Sequence, residues 1–341
     1  ESEDLAGAIA AAQVAERSLA AEVVEARRTQ ALEVASAAQA TLVVAVSPLL
    51  VGLMRQVRAR MEGRVGAGVA QPWRDLRKLL RRQPTTPVGT GWAFRAAPAV
   101  GVGTTLVLAA AVPLLTTTTA LGGGADLLAV VGLLALGTVA LALAALDTGT
   151  AFGGMGASRE MTVVALAEPT ILLGVFALSA QAGSTNLGAI VTTTLDQPLR
   201  LLSPTSLLAA AALVLVIVAE TGRLPVDNPS THLELTMIHE AMVLEYSGTD
   251  LGLIELAASM RLTVLLGLLA SLFAPWGIAG AGLVALPLAA VALIFKIAIL
   301  AVVLAAAEVF LAKLRLFRVP ELLAGSFVLA MLAVATSFLL P

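Results

Sequence analysis

The sequence contains no cysteine and only two histidines among its 341 residues. Without cysteine the chain can form no disulfide and can offer no thiolate to zinc or to an iron–sulfur cluster. Two histidines also argue against an internal pair of haem ligands. We therefore predict that this chain by itself binds no cofactor, and that any redox centre lies mainly in a partner.

Charged residues are scarce as well, at 13% of the chain. A soluble domain of this length carries about a quarter. The composition is 58% hydrophobic with a mean hydropathy of +0.94, and several apolar runs reach the roughly 20 residues needed to cross a bilayer. These runs are continuous and do not alternate over about ten residues, as strands of a membrane barrel would. The sequence predicts an all-α, multi-spanning membrane protein.

Polar residues separate a short N-terminal part from the rest. Residues 1–30 predict a polar extension, which lacks the basic start and apolar core of a signal peptide. Residues 31–341 are predicted to form one membrane domain. Eight spans are predicted, near residues 32–54, 96–119, 125–147, 161–182, 204–220, 255–274, 280–306 and 321–340.

The distribution of cations predicts the orientation. Fifteen of the 21 Lys and Arg residues fall in the four loops 55–95, 148–160, 221–250 and 307–320. Loops enriched in Lys and Arg stay on the cytoplasmic side. Both termini are therefore predicted to lie outside.

The segment 55–83 is strongly basic, with nine cations against two acids. One interpretation is anchoring of the first spans at anionic lipid headgroups. The other is a docking surface for a cytoplasmic partner. Pro72 suits a helix start, and Trp73, Leu76, Leu79 and Leu80 could form the apolar stripe of a helix lying along the interface.

Glu168 and Lys296 are ionisable residues that lie inside predicted spans. Glu168, followed by Pro169, is about eight residues into the fourth span, where a carboxylate costs about 2.5–3.5 kcal/mol on insertion scales. It is expected to face protein or water, either in a functional role or in a structural hydrogen bond. Lys296 lies deep in the seventh span and is expected to pair with a carboxylate such as Glu168 or Glu220.

Acids gather after the fifth span. Glu220 ends that span, and an interfacial ion pair with Arg223 is one interpretation. Pro225 and Pro229 break the helix and predict an irregular loop, which at membrane depth is tolerated where it is buried in protein or lines a watery cavity.

Glu234, Glu240 and Glu245 follow on a helical-looking stretch with His232 and His239. The spacing HEAMVLE differs from the HExxH pattern of zinc enzymes, so capping or hydrogen bonding is favoured for the histidines. Carboxylates close together raise one another's pKa, as a proton relay requires.

These residues carry a family resemblance. AETGRLPVD (219–227) followed by LEYSG (244–248) resembles AETNRAPFD…TEYSG of subunit 1 of respiratory complex I and its bacterial equivalent. The string from Val226 to Gly248 is more similar to the hydrogenase branch, which includes formate hydrogenlyase subunit 4 and hydrogenase-4 component C. QPWRDLRKLLRRQ (71–83), DTGTAFGGMGASREM (147–161) and AKLRLFRVPELL (312–323) match the same branch.

The resemblance implies an eight-helix membrane subunit at the junction between a hydrophilic redox arm and antiporter-like pumping subunits, in the cytoplasmic (inner) membrane of a bacterium or archaeon. It implies a proton relay through buried ionisable residues, for which our candidates are Glu168, Glu220, Glu234, Glu240, Glu245 and Lys296. Candidates for docking to the redox arm are Arg58, Arg64, Trp73, Arg74, Asp75, Lys78, Arg159, Arg223 and Asp227.

The partners implied are hydrogenase-like large and small subunits, a ferredoxin-like iron–sulfur subunit and antiporter-like membrane subunits. These partners would carry iron–sulfur clusters and a nickel–iron centre, and no nucleic acid is expected. Gly222, Leu224 and Val226 replace Asn, Ala and Phe of the complex I wording. Two alternatives stay open: the quinone-binding membrane subunit of a complex-I-type NADH-quinone oxidoreductase, and a cation/proton antiporter component.

Overall fold

The computed structural model describes residues 2–122, 125–227, 237–280 and 283–339. Eleven α-helices lie in these ranges. They are α1 (Ser2–Met61), α2 (Gln71–Leu79), α3 (Trp92–Ala111), α4 (Leu127–Asp147), α5 (Ala151–Ala182), α6 (Leu187–Asp196), α7 (Pro204–Glu220), α8 (His239–Val243), α9 (Gly248–Phe273), α10 (Leu286–Phe310) and α11 (Val319–Leu339).

Seven helices of the described ranges are long and apolar enough to cross a membrane: α1, α3, α4, α5, α9, α10 and α11. The remaining predicted span is α7, an apolar helix of 17 residues. That length is at the lower end of the roughly 17–25 residues that span a bilayer. The prediction of an all-α, multi-spanning membrane protein is confirmed.

Helix α9 is the central element of the bundle. It packs against α1, α3, α7 and α10, while α5 and α7 pack against α11 on the other side. Most of α9 is buried in protein, whereas α10 and α11 expose many apolar side chains. Arg261 of α9 is therefore largely enclosed by protein, whereas Glu255 is exposed near the start of the helix.

The first span continues from the N-terminal extension without a break. Helix α1 has 60 residues, a length of about 90 Å at 1.5 Å per residue. Residues 2–30 thus share one helix with the first span. The part from Leu19 to Glu25 exposes its side chains.

The second span ends earlier than predicted, at Ala111. Pro113 follows it, and the next residues leave the helix with unpaired backbone groups. Gln39 of α1 satisfies four of them: its Nε2 donates to the carbonyls of Ala109 (2.6 Å) and Val112 (2.7 Å), and its Oε1 accepts from the amides of Leu114 (3.3 Å) and Leu115 (2.8 Å). Because lipid offers no hydrogen-bond partners, this buried amide allows the irregular backbone.

The fourth span begins earlier than predicted, at Ala151. The side chain of Thr150 accepts from the amide of Gly153 at 3.2 Å and caps this start. Residues 151–160, predicted as loop, thus form the first turns of α5. Glu160 accordingly lies on a packed helix.

The LEYSG motif fastens the end of the basic segment. The Tyr246 hydroxyl donates to the carbonyl of Phe94 at 2.8 Å, and the two rings stack. Burial raises the pKa of Tyr246 above its ordinary value, which keeps this donor protonated. The Ser247 hydroxyl accepts from the amide of Thr85 at 2.8 Å. Gly248 has a φ of +55°, and a Cβ there would lie 2.5 Å from the carbonyl oxygen of Gln83.

Gly248→Ala is expected to destabilise the protein by about 1–3 kcal/mol, because a side chain is strained at that φ and collides with the 82–83 backbone. The measurement is the apparent melting temperature of the purified chain in detergent. Gly132→Ala is the matched control: it lies within α4 with nothing within 4 Å of its Cβ. It should be neutral or stabilising by about 0.5–1 kcal/mol. Equal melting temperatures for the two variants would contradict the role given to Gly248.

Candidate functional site

A cavity of about 210 Å³ lies among the helices α1, α2, α3, α4, α5, α7, α8 and α9. Its wall is unusually rich in ionisable groups for a protein with so few charges. The six acids are Asp75, Glu160, Glu220, Asp227, Glu240 and Glu255, and the basic residues are Arg55, Arg223, Arg261 and His239.

Glu220 forms a buried ion pair at the end of α7. Its Oε1 accepts from Nη2 of Arg261 on α9, and Nη1 of Arg261 donates to the hydroxyl of Thr138 on α4. The Glu220 side chain is 1% exposed. The alternative of a Glu220–Arg223 pair at the interface is therefore wrong. Gly222, with a φ of +58°, turns the chain after α7 and carries Arg223 away.

Arg223 instead joins a second buried cluster. Its Nη1 lies 3.6 Å from Oε1 of Glu308 on α10, and Nη1 of Arg58 on α1 lies 3.2 Å from the other carboxylate oxygen. Burial lowers the pKa of Arg223, and the Glu308 carboxylate opposes that shift. This cluster ties the turn after α7 to two membrane helices.

Asp227 holds the two described ends of the loop together. It is 2% exposed, and its Oδ2 accepts from the amides of Ile238 (3.1 Å) and His239 (3.2 Å). Its Oδ1 lies 3.2 Å from Nζ of Lys313. Arg159 adds a bond from Nη1 to the carbonyl of Met237 at 2.8 Å. The turn and α8 are thereby fixed beside the cavity.

The relay candidates fall in different places. Glu220 and Glu240 lie on the cavity wall. Glu168 is half-buried on α5, and its Oε1 is buried without a hydrogen-bond partner in the described ranges. Glu245 is half-buried just after α8. Glu234 and His232 lie outside the described residues. The predicted helical stretch is reduced, where the structure describes it, to the five residues of α8.

The predicted carboxylate partner of Lys296 is wrong. Lys296 is 5% exposed, and its Nζ donates to the carbonyls of Ala274 (3.0 Å) and Trp276 (3.1 Å). The same nitrogen is 5.2 Å from the centre of the Trp276 ring. Lys296 holds the chain that leaves α9, because the carbonyls at a helix end lack partners within the helix. Neither Glu168 nor Glu220 is its partner.

The docking candidates form two groups. Arg58, Arg159, Arg223 and Asp227 make the internal contacts described above. Arg64 pairs with Glu62, and Trp73 donates from Nε1 to the carbonyl of Ala45 at 3.0 Å. Arg74 and Lys78 are exposed, whereas Asp75 lies on the cavity wall. Docking through any of these residues stays a prediction.

Helix α2 presents its apolar side to protein. Pro72 and Leu76 are buried, and the helix packs against α1 and α9. A Cβ placed at Gly252 of α9 would lie 3.1 Å from Cβ of Leu79 and 3.4 Å from Cδ2 of Leu80, so α2 packs closely on this glycine. The helix thus covers one side of the cavity and leaves a cationic outer face.

Five of the ten ionisable residues on the cavity wall were not among the site candidates: Arg55, Glu160, His239, Glu255 and Arg261. Glu160 falls in the predicted loop 148–160, yet it lies on α5 and is 7% exposed. Glu255 and Arg261 seemed to belong to the sixth span alone. Their spacing is a signal that could have found them: residues 255 and 261 lie on a helix that is otherwise uncharged from 251 to 273. An unpaired charge there is costly, so an internal partner was required.

No group of three or more His, Asp or Glu residues within the described ranges is arranged to hold a metal ion. The cavity wall instead carries six acids together with three arginines and a histidine. Such an arrangement can bind and release protons at several carboxylates.

Comparisons with known proteins assign the chain to a family. A family model described as NADH dehydrogenase matches residues 34–339. The chain belongs to this family. It is the family of complex I subunit 1 and its bacterial equivalent, so the resemblance drawn from the sequence motifs is confirmed.

Two proteins of Escherichia coli strain K12 are similar to this chain. It is 37% identical to formate hydrogenlyase subunit 4 over 300 residues, which cover 86% of this chain and 95% of the relative. It is 39% identical to hydrogenase-4 component C over 243 residues, covering 70% and 75%.

A solved structure supports the fold. A chain of the membrane-bound sulfane sulfur reductase, an archaeal respiratory membrane complex, superposes with a TM-score of 0.78 at 19% identity. The match covers 89% of this chain and 98% of that chain.

The three residues that differ from the complex I motif, Gly222, Leu224 and Val226, have different structural settings in this chain. Gly222 adopts a φ of +58°, which Asn also tolerates. Leu224 lines a second cavity of about 380 Å³ next to Arg55 and Glu308. Val226 is buried in the core. Gly222 and Leu224 therefore line cavities, whereas Val226 is packed in the core.

Asp227→Asn is expected to speed trypsin cleavage after Arg223 by about tenfold. The peptide bond after Arg223 is cut only when the surrounding segment unfolds locally, and Asp227 opposes that unfolding. The charge on Asp227 supports two backbone amides and Lys313, and breaking a buried pair costs about 3–5 kcal/mol, less here because Lys313 is partly exposed.

Lys313→Gln is the control, since it removes the ion pair and leaves both amide bonds of Asp227 in place. It should have the smaller effect. The measurement is limited proteolysis followed by mass spectrometry of the fragments. If the two variants and the unmodified chain are cut at the same rate, Asp227 does not hold this loop.

Proposed function

We propose that this chain is the membrane-anchor subunit of a multisubunit oxidoreductase of the formate hydrogenlyase or membrane-bound hydrogenase type. In this proposal it joins the redox arm to ion-translocating subunits and relays protons through buried glutamates. The observation that carries the proposal is the cavity with six acids and three arginines on its wall. Its place within a bundle of apolar helices gives those charges a cost that a structural role alone would not repay.

The acids fall into two groups, one on the side where protons would enter and one on the inner side, around Arg261. Glu255 on α9 interacts electrostatically with Arg55, Glu240 and Asp75, which come from α1, α8 and α2. Helix α2 and the turn after α7 lie on the side predicted to be cytoplasmic. Protons delivered by a redox partner would reach these acids first.

The inner side comprises Glu160, Glu220 and Glu168 around Arg261. Glu220 Oε2 and Glu168 Oε1 are buried and have no hydrogen-bond partner within the described ranges. A buried carboxylate oxygen without a donor gains by binding a proton. Each of these atoms is therefore suited to accept a proton during turnover.

The energy of the redox reaction would drive the movement. One charge moved across 100 mV costs about 2.3 kcal/mol. Several carboxylates coupled through shared cations can divide that cost into small steps. Release of the proton from the last acid to an antiporter-like subunit would complete the transfer.

The proposed partners follow from the relatives and from the composition. Formate hydrogenlyase, hydrogenase-4 and the sulfane sulfur reductase complex are the assemblies named for the similar proteins. With no cysteine in the chain, iron–sulfur clusters and a nickel–iron centre would be carried by hydrogenase-like and ferredoxin-like subunits. The exposed Arg74 and Lys78 of α2 would dock that arm, while antiporter-like subunits would contact the membrane helices.

The cavity fits a quinone less well. Sites for small organic ligands usually measure about 300–1,000 Å³ and are mostly apolar. This cavity is smaller, at about 210 Å³, and ten ionisable side chains stand among its mostly apolar lining. Quinone binding is therefore the second candidate, and insensitivity of turnover to quinone-site inhibitors would set it aside.

Glu220→Gln is expected to lower ion translocation by about tenfold or more, since a glutamine cannot carry a proton through the path. The complex should still assemble, because glutamine keeps an acceptor for Arg261. The measurement is turnover and ion uptake in inverted membrane vesicles, with subunit content checked by mass spectrometry.

Glu321→Gln, at the exposed start of α11, is the matched control and should leave both rates unchanged. Normal ion uptake by the Glu220→Gln complex would refute the relay. Failure of the chain to co-purify with any redox subunit would refute the anchor role.

A further inference from the structure

Arg261 stands between three glutamates that belong to two different helices. It pairs with Glu220 of α7 and shares the cavity wall with Glu160 of α5. Glu160 and Glu168 lie within its electrostatic range, and Glu160 also faces His239 and Asp227. Thr138 of α4 holds its other terminal nitrogen. One cation thus faces three acids in a region where water is restricted.

The hydrogen bonding around this guanidinium is incomplete. Arg261 Nε, Glu220 Oε2 and Glu168 Oε1 are three of the five buried side-chain atoms without a hydrogen-bond partner within the described ranges. Buried polar atoms are nearly always paired, because leaving one unpaired costs free energy. A donor and two acceptors left open around one cation indicate that more than one pairing is available.

There is also room beside the guanidinium. Gly137 lies next to Thr138 on α4, and a Cβ at this glycine would sit 4.0 Å from Arg261 Nη1 and 3.0 Å from the Thr104 hydroxyl. The glycine lines the cavity. The absence of a side chain leaves space on that side of Arg261.

We propose that Arg261 is the common counter-ion of Glu160, Glu168 and Glu220, and that its movement between them decides which acid holds the proton. When it pairs with Glu220, that acid is ionised and the acids on α5 are the ones that gain a proton. When it turns towards α5, Glu220 loses its counter-ion and takes the proton up. Arg261 is a positioning residue, since its guanidinium stays protonated and does not exchange the transferred proton.

The inference rests on the proposed relay but can be tested apart from it. The full chain is purified in lipid nanodiscs, and infrared spectroscopy at neutral pH measures the protonated carboxyl groups. Four forms are compared: the unmodified chain, E220Q, R261Q and the R261Q/E220Q double variant. Their melting temperatures show whether each is folded.

R261Q is expected to gain about one or more protonated carboxyl groups per chain, because desolvated acids without a counter-ion take up protons. E220Q alone should gain none. The decisive comparison is between E220Q and R261Q/E220Q. A gain in the double variant over E220Q supports the proposal, since Glu160 or Glu168 must then have lost its counter-ion. Equal signals mean that Arg261 serves Glu220 alone, and they overturn it.

Two further variants test position and movement. R261K keeps a charge but cannot bridge Thr138 and Glu220 with a planar fork. Its carboxyl signal should therefore lie between those of the unmodified chain and R261Q. Lys296→Met removes an intramembrane cation that has backbone partners, and the carboxyl signal should not change.

Gly137→Ala fills the space beside the guanidinium while keeping every charge. In the assembled complex it should slow turnover, with an unchanged carboxyl signal in the nanodisc sample. Unchanged turnover would overturn the movement of Arg261. If the carboxyl signals behave as expected while E220Q complexes still translocate ions normally, the relay fails and the shared counter-ion stands.

Discussion

Lipid supplies neither hydrogen bonds nor counter-charges, and the polar residues of this bundle are placed accordingly. Gln39 satisfies four backbone groups where α3 ends, and Lys296 satisfies two carbonyls where α9 ends. Glu220 and Arg261 neutralise each other across α7 and α9. The same constraint makes the cavity informative, because three buried polar atoms around Arg261 have no hydrogen-bond partner in the described ranges.

The charged clusters divide the molecule into a fixed part and an adaptable part. Asp227, Arg223 and Glu308 fasten the turn after α7 with contacts to α8, α1 and α10. Around Arg261 one cation is shared among several acids. A fixed frame beside a centre with unpaired polar atoms suits the proton relay that we propose for this chain.

Much of the fold could be predicted from hydropathy, since apolar runs of about 20 residues have one structural solution in a membrane. The helix ends were less predictable. Residues 112–119 look apolar enough to continue α3, but Pro113 and the distant Gln39 allow an irregular chain. Residues 151–160 look like loop, but Thr150 caps a helix there. In each case the deciding contact was a hydrogen bond that hydropathy does not encode.

The membrane class, the family motifs and the concentration of acids after α7 could all be read from the amino-acid order, because they depend on composition and local sequence. Tertiary structure alone decided the ion pairs. Glu220 lies three residues from Arg223 yet binds Arg261, 41 residues away, since the turn at Gly222 sends the nearby arginine to α10. Which acid meets which cation depends on how helices pack, and that packing is set by the whole bundle.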